Sequence, residues 1–175
     1  MGEQQLKNLW APWRLSYVAG PKPPRESEPC FICRGLELRD DRHNLLVLRT
    51  TFSVVYLNRF PYNNGHLLVA PRAHKGQFGD LEADEMTDSM MALQRMIREL
   101  NGLLQPDGYN IGLNLDPAAG AGLPGHLHWH LVPRWQGDTN FMPIVSDTKV
   151  IPQSLESLYD LLVAQMNGER IKDEG

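Results

Sequence analysis

No stretch of this 175-residue chain approaches the roughly eighteen consecutive apolar residues of a membrane helix. Its start, Met1-Gly2-Glu3-Gln4-Gln5, has neither the basic nor the apolar region of a signal peptide, so a cytoplasmic protein without membrane contact is expected. Basic surplus is absent too: 17 Lys and Arg against 21 Asp and Glu leave a net charge of -4, which argues against a general nucleic-acid binder. A phosphorylated ligand must then be held locally. Cysteine is scarce. Cys30 and Cys33 are the only two, and a pair at that spacing in a reducing compartment is more often a metal or redox site than a disulfide. There is no internal repeat or low-complexity tract, and the length suits one domain rather than two.

What is present is patterned. Leu6 to Val18, with Trp10, Trp13 and Tyr17 around Pro12, reads as an arm packed on the body, and the proline-rich Pro21 to Pro29 reads as an extended connector to Cys30. Leu45–Leu48, Phe52–Leu57 and His66–Ala70 are rich in branched and aromatic residues, and the turn Tyr62-Asn63-Asn64-Gly65 precedes the last, which predicts three antiparallel strands. Between Asp84 and Leu104, Met86, Met90, Leu93, Ile97, Leu100 and Leu104 recur at spacings of three and four and define a helical stripe. Met86 and Met90 lie in that stripe while Met91 and Met96 fall off it, so core filling is expected rather than a Met-lined groove. Tyr109–Leu115 is a fourth strand candidate, and Leu155, Leu158, Leu161, Leu162 and Met166 predict a helix from about Gln153 to Asn167. These elements predict an α+β fold: an antiparallel sheet of about five strands, a long covering helix and a C-terminal helix. They compose one domain over 1–175, with an N-terminal arm (1–29) and a C-terminal helical extension (136–175).

The most informative stretch is His126-Leu127-His128-Trp129-His130-Leu131-Val132-Pro133, in which three of the six histidines alternate with apolar residues. Alternation is strand spacing, so the histidines share one face and Leu127, Trp129 and Leu131 share the other. At about 3.3 Å per residue the outer two begin roughly 13 Å apart, too far to share one metal easily. Neighbouring pairs could, so a two-ligand zinc strand or an edge strand with solvated imidazoles stays open on geometry alone. By parity, Trp129 belongs to the core or a dimer contact rather than to a base-stacking platform.

This row matches the His-φ-His-φ-His-φ-φ signature, with φ apolar, and so resembles the histidine triad superfamily of nucleotide hydrolases and transferases. Upstream, Asn58, His66 and Pro71-Arg72-Ala73-His74 stand in the order that family shows. Leu9-Trp10-Ala11-Pro12-Trp13-Arg14 and Gly137-Asp138-Thr139-Asn140-Phe141-Met142-Pro143 look like its longer bacterial branch of diadenosine tetraphosphate phosphorylases.

The resemblance implies roles. His128 is implied as the nucleophile on an α-phosphorus, a task suited to a neutral imidazole whose other ring nitrogen is held by an acceptor. His130 is implied beside the phosphate, donating a hydrogen bond or moving a proton, and His66 in the same role from a neighbouring strand. Cys30, Cys33, His74 and His126 are implied as a closed tetrahedral set for a structural zinc, against the alternative of free thiols near unrelated histidines. Gly120 and Gly122, in the loop before the triad, could let backbone N–H groups approach a phosphate, although most such loops merely turn. Asn58 and Asn114 suit the ribose and phosphate region, their alternative being ordinary strand-end asparagines. The serine that many relatives carry shortly before the first triad histidine is replaced here by Leu123-Pro124. Implied partners are a dinucleoside polyphosphate or other nucleotide substrate, inorganic phosphate and a second copy of the chain. The rival classes are a hydrolase of dinucleoside polyphosphates or nucleoside phosphoramidates, a nucleotide-binding module without turnover, and an open-site metalloenzyme.

Overall fold

The computed structural model describes residues 30–138 and 151–168. The arm of residues 1–29, with Trp10 and Trp13, lies outside the described residues, as do residues 139–150 and 169–175. The described chain runs α1 (Phe31–Glu37), α2 (Asp41–Asn44), β1 (Leu46–Arg49), β2 (Ser53–Leu57), β3 (Leu67–Pro71), α3 (Ala83–Leu104), β4 (Gly108–Leu113), β5 (Trp129–Arg134) and α4 (Leu155–Met166). The five strands form one antiparallel sheet in the order β1-β2-β3-β5-β4.

Both faces of the middle of this sheet are covered, which is why β2 and β3 are buried along their whole length and read as apolar runs instead of alternating. On one face Val55, Leu57, Leu67, Val69, Leu127, Trp129 and Leu131 pack with Leu93, Met96 and Leu100 of α3 and with Leu158 and Leu162 of α4. On the other, Leu46, Val54, Tyr56, Leu68 and Ala70 pack with Ile32 of α1. The Tyr56 hydroxyl donates to the Ile32 carbonyl at 3.0 Å, and a Cβ on Gly35 would stand 2.7 Å from that hydroxyl oxygen, so only glycine lets α1 sit this close.

The long helix arises where its spacing predicts, but its buried face is rotated. Met96 is 0% exposed and Met90 41%, the reverse of the expected assignment, because the buried row runs Glu85, Ser89, Ala92, Leu93, Met96 and Leu100. Two of those residues are polar, and an apolar stripe cannot register them. Ser89 meets Ser53 of β2 at 2.9 Å, and Glu85 accepts from Lys75 Nζ at 2.6 Å and from the Glu82 backbone N–H at 2.9 Å, closing a capping box. Replacing Glu85 by Gln removes the charge from a buried acceptor of two donors. The expected cost is roughly 1–3 kcal/mol of stability, read from denaturant unfolding.

The ends of β1 to β4 shift by one or two residues from their sequence-based bounds, and β5, expected from His126 to Trp135, runs from Trp129 to Arg134. β4 stops at Leu113 rather than Leu115, since Asp116 turns to a φ of 62° and opens a loop. α4 is capped by the Ser154 side chain, which accepts from the Ser157 N–H at 3.1 Å. The short α1 and α2 have too few turns for a periodicity to show.

Candidate active site and metal centre

The histidine row enters the sheet as an extended segment, with β5 itself beginning at Trp129. His130 pairs with Leu68 of β3 and Gly112 of β4, which puts it on the α1 face of the sheet. Leu127, Trp129 and Leu131 lie in the opposite core, as alternation requires, and Trp129 is a core residue with Phe78 edge-on at 6.5 Å.

Each triad ring is held differently. His128 is 7% exposed and its Nδ1 lies 2.9 Å from the carbonyl of His126. A carbonyl only accepts, so Nδ1 carries the proton and Nε2 keeps a lone pair. Burial pushes the ring below the ordinary histidine value, which favours the neutral form. His126 is turned the other way round. Its Nε2–H donates to the Pro71 carbonyl at 2.8 Å, leaving the Nδ1 lone pair 3.2 Å from Cys30 Sγ and 3.6 Å from Cys33 Sγ.

A chain of donors fixes the third ring. The backbone N–H of Tyr62 donates to His66 Nδ1 at 3.0 Å, and Asn58 Nδ2 lies 3.2 Å from the same nitrogen. Since a backbone N–H can only donate, His66 must carry its proton on Nε2, which then donates to His130 Nδ1 at 2.9 Å. His130 therefore keeps its own proton on Nε2. Burial, with the neighbouring His128, pushes the His130 ring down to about 4. His66 is 0% exposed, so the structure sets it behind His130 rather than beside it at the site. The orientation of Asn58 is fixed in turn, because its Oδ1 accepts from the Phe60 N–H at 2.9 Å.

Cys30, Cys33, His74 and His126 converge at the start of α1, each offering one ligand atom within 4.8 Å of the others. Cys33 Sγ stands 3.2 Å from His74 Nδ1. Tetrahedral coordination at metal bonds of about 2.3 Å to sulfur and 2.0–2.1 Å to nitrogen requires sulfur–nitrogen separations near 3.5 Å, so this donor set fits one ion. Burial and the adjacent Cys30 push the Cys33 thiol up to about 11, a protonated state that a bound cation reverses. The Pro71 carbonyl supplies the outer hydrogen bond that orients His126.

Gly120 and Gly122 are exposed in the loop that precedes His126, and Gly120 adopts a φ of 87°, which glycine alone reaches freely. Asn114 is half-buried one residue beyond the Leu113–Trp129 pair. Sequence pattern does not single out Tyr62, which it marks only as part of a turn. Its ring stacks on His130 with centroids 5.6 Å apart and planes at 24°. Asp138, which the sequence marks only as part of the Gly137–Pro143 motif, receives a forked pair of bonds from Arg134 and one from Asn63 Nδ2 at 2.8 Å, tying that turn to the end of β5.

A five-stranded antiparallel sheet with the alternating row His126, His128 and His130 running into its interior strand β5 is the architecture of histidine triad proteins. The chain belongs to that family: the HIT domain model matches residues 40–137. It is 38% identical over 165 residues, covering 92% of this chain and 85% of the relative, to an AP-4-A phosphorylase of Mycobacterium tuberculosis. It is 30% identical over 112 residues, covering 63% of this chain and 61% of the relative, to a bis(5'-nucleosyl)-tetraphosphatase [asymmetrical] of Schizosaccharomyces pombe. Among solved structures it resembles a Zn-bound histidine triad family protein from Mycobacterium smegmatis, with a TM-score of 0.57 at 25% identity over 71% of this chain and 86% of the other. Among the described residues no helix is long and apolar enough to cross a membrane.

Proposed function

We propose that this chain is a nucleotidyl transferase that acts at the α-phosphate of a dinucleoside polyphosphate through a covalent nucleotidyl-His128 intermediate. The observation that carries the reading is the 2.9 Å bond from His128 Nδ1 to the His126 carbonyl, which leaves a neutral, buried imidazole with its Nε2 lone pair free.

In the first step Nε2 of His128 forms a bond to the α-phosphorus while the bridging P–O bond breaks and the distal nucleotide leaves. A polyphosphate leaving group carries the electron pair as an anion, so the missing serine before the triad does not prevent departure. His130 offers its Nε2–H to a non-bridging oxygen, where negative charge is redistributed in the transition state. In the second step an acceptor attacks the same phosphorus and frees His128. With inorganic phosphate as acceptor, diadenosine tetraphosphate gives ATP and ADP; with water it gives ATP and AMP. Asn58, Asn114, Gly120 and Gly122 are the residues proposed to line the ribose and phosphates, with Asn58 also orienting His66.

The same reading assigns zinc to Cys30, Cys33, His74 and His126. With four protein ligands the ion has no open position and supplies no chemistry to the phosphate. Bound there, it stabilises the segment whose carbonyl orients His128. A homodimer in the cytoplasm completes the reading.

The name of the Mycobacterium tuberculosis relative favours phosphorolysis. Incubation of diadenosine tetraphosphate with and without inorganic phosphate checks it. Phosphorolysis predicts ADP formation that rises with phosphate. Undiminished AMP release with no phosphate-derived nucleotide would identify a hydrolase instead, the activity named for the Schizosaccharomyces pombe relative.

A further inference from the structure

Tyr62 is placed against the site without being explained by it. Tyr62 as a whole is 54% exposed, yet its ring lies over both members of the His66–His130 pair, at 5.6 Å and 24° from His130 and at 4.7 Å and 34° from His66. An exposed tyrosine on a turn normally samples several rotamers, but this turn is clamped. Asn63 Nδ2 donates to the Pro133 carbonyl at 3.1 Å and to Asp138 at 2.8 Å. Gly65 holds a φ of 73°, with Leu104 so close that a Cβ would stand 2.7 Å from it. The turn therefore delivers two parts of one residue to one pair of rings: a backbone N–H that sets the proton positions and a side chain that covers the outer histidine.

We propose that Tyr62 is a positioning residue for His130, its backbone N–H fixing His66 as the donor to His130 Nδ1 and its ring shielding His130 from water so that His130 stays a neutral donor through Nε2. Protonation of His130 would put a second proton between His66 Nε2 and His130 Nδ1, where one already lies, and would break the relay. Dryness is thus part of the relay's geometry. Among the described residues the titratable groups against the His130 ring are His66, His128 and Tyr62, and its strand partners Leu68 and Gly112 carry none. His130 is held low mainly by burial, so removal of the cover should be felt there first.

The consequence for turnover rests on the reading of His130 as hydrogen-bond donor to the phosphate. The titration does not, because it is read on the free protein. The experiment is histidine-ring NMR on the full, metal-loaded chain for wild type, Tyr62→Ala, Tyr62→Leu and Tyr62→Phe, paired with pH profiles of kcat and KM. In Tyr62→Ala the His130 midpoint rises by about one unit or more, roughly tenfold in the protonated-to-neutral ratio at fixed pH. The acid limb of kcat rises with it while KM changes little. Tyr62→Phe keeps the wild-type midpoint because the stack survives, and Tyr62→Leu gives a smaller rise and serves if the alanine variant does not fold. The His66 tautomer is unchanged in all three, since the backbone N–H remains. A His130 midpoint that stays at its wild-type value in Tyr62→Ala and Tyr62→Leu overturns the proposal. A midpoint that rises while the acid limb of kcat stays put upholds Tyr62 as the cover and removes His130 from the reaction.

Discussion

Replacing His128 by Ala lowers turnover of a dinucleoside polyphosphate by roughly 10³-fold or more while nucleotide affinity stays close to wild type. The size of the loss follows from what the other histidines are already doing. His130 has its proton on Nε2, because His66 occupies Nδ1 as donor, so the nitrogen facing the site has no lone pair to attack with. His66 has both ring nitrogens in hydrogen bonds and is buried. His126 spends Nε2 on the Pro71 carbonyl and Nδ1 on the cysteine cluster. No neighbour can take over as nucleophile. Single-turnover assays with a nucleotide-binding isotherm check this, and unchanged turnover in a folded His128→Ala protein would reject covalent catalysis at that residue.

Stripping the metal site is expected to remove stability and activity together. Chelation, or the double change Cys30→Ser with Cys33→Ser, leaves the start of α1 without its link to His74 and to the start of the histidine row. A structural zinc contributes several kcal/mol to the folded state. For a chain of this size, at about 2–4 °C per kcal/mol, the fall in Tm is roughly 10 °C. Activity follows because the carbonyl that orients His128 belongs to His126, a member of the same Cys and His cluster. Parallel thermal melts and rate assays across a chelator series read both quantities. Loss of activity with an unmoved Tm would mean an open catalytic metal, and loss of neither would mean that the cluster holds no ion that matters.

Much of this was legible in the sequence, and the reasons differ by element. Alternation of the histidines with Leu127, Trp129 and Leu131 predicts two faces, and strand geometry yields them. The long helix follows from its spacing, but not its rotation, because Glu85 and Ser89 are buried by polar contacts to Lys75 and Ser53 that an apolar count ignores. The convergence of Cys30 and Cys33 with His74 and His126 follows from a resemblance and from ligand chemistry. The Pro71 carbonyl that orients His126 is a backbone atom without a sequence signature. The place of His66 is of the same kind: its spacing marks it for the site, while its position behind His130 depends on a backbone N–H from Tyr62. Tyr62 is invisible to pattern, since a turn residue is common everywhere, and Asp138 is marked only as one member of the Gly137–Pro143 motif, with no role attached. The packing of the turn against β5 gives Tyr62 its place over His130 and adds Asn63 to the bonds that Asp138 already receives from Arg134.

The intermediate on His128 is the central claim, and intact-protein mass after brief exposure to diadenosine tetraphosphate in phosphate-free buffer tests it most directly. The account predicts a mass increase of one adenylyl group in the wild-type chain, mapped to His128, lost on addition of inorganic phosphate and absent from His128→Ala. Product formation without any adduct under those conditions, or an adduct mapped to another residue, would contradict it.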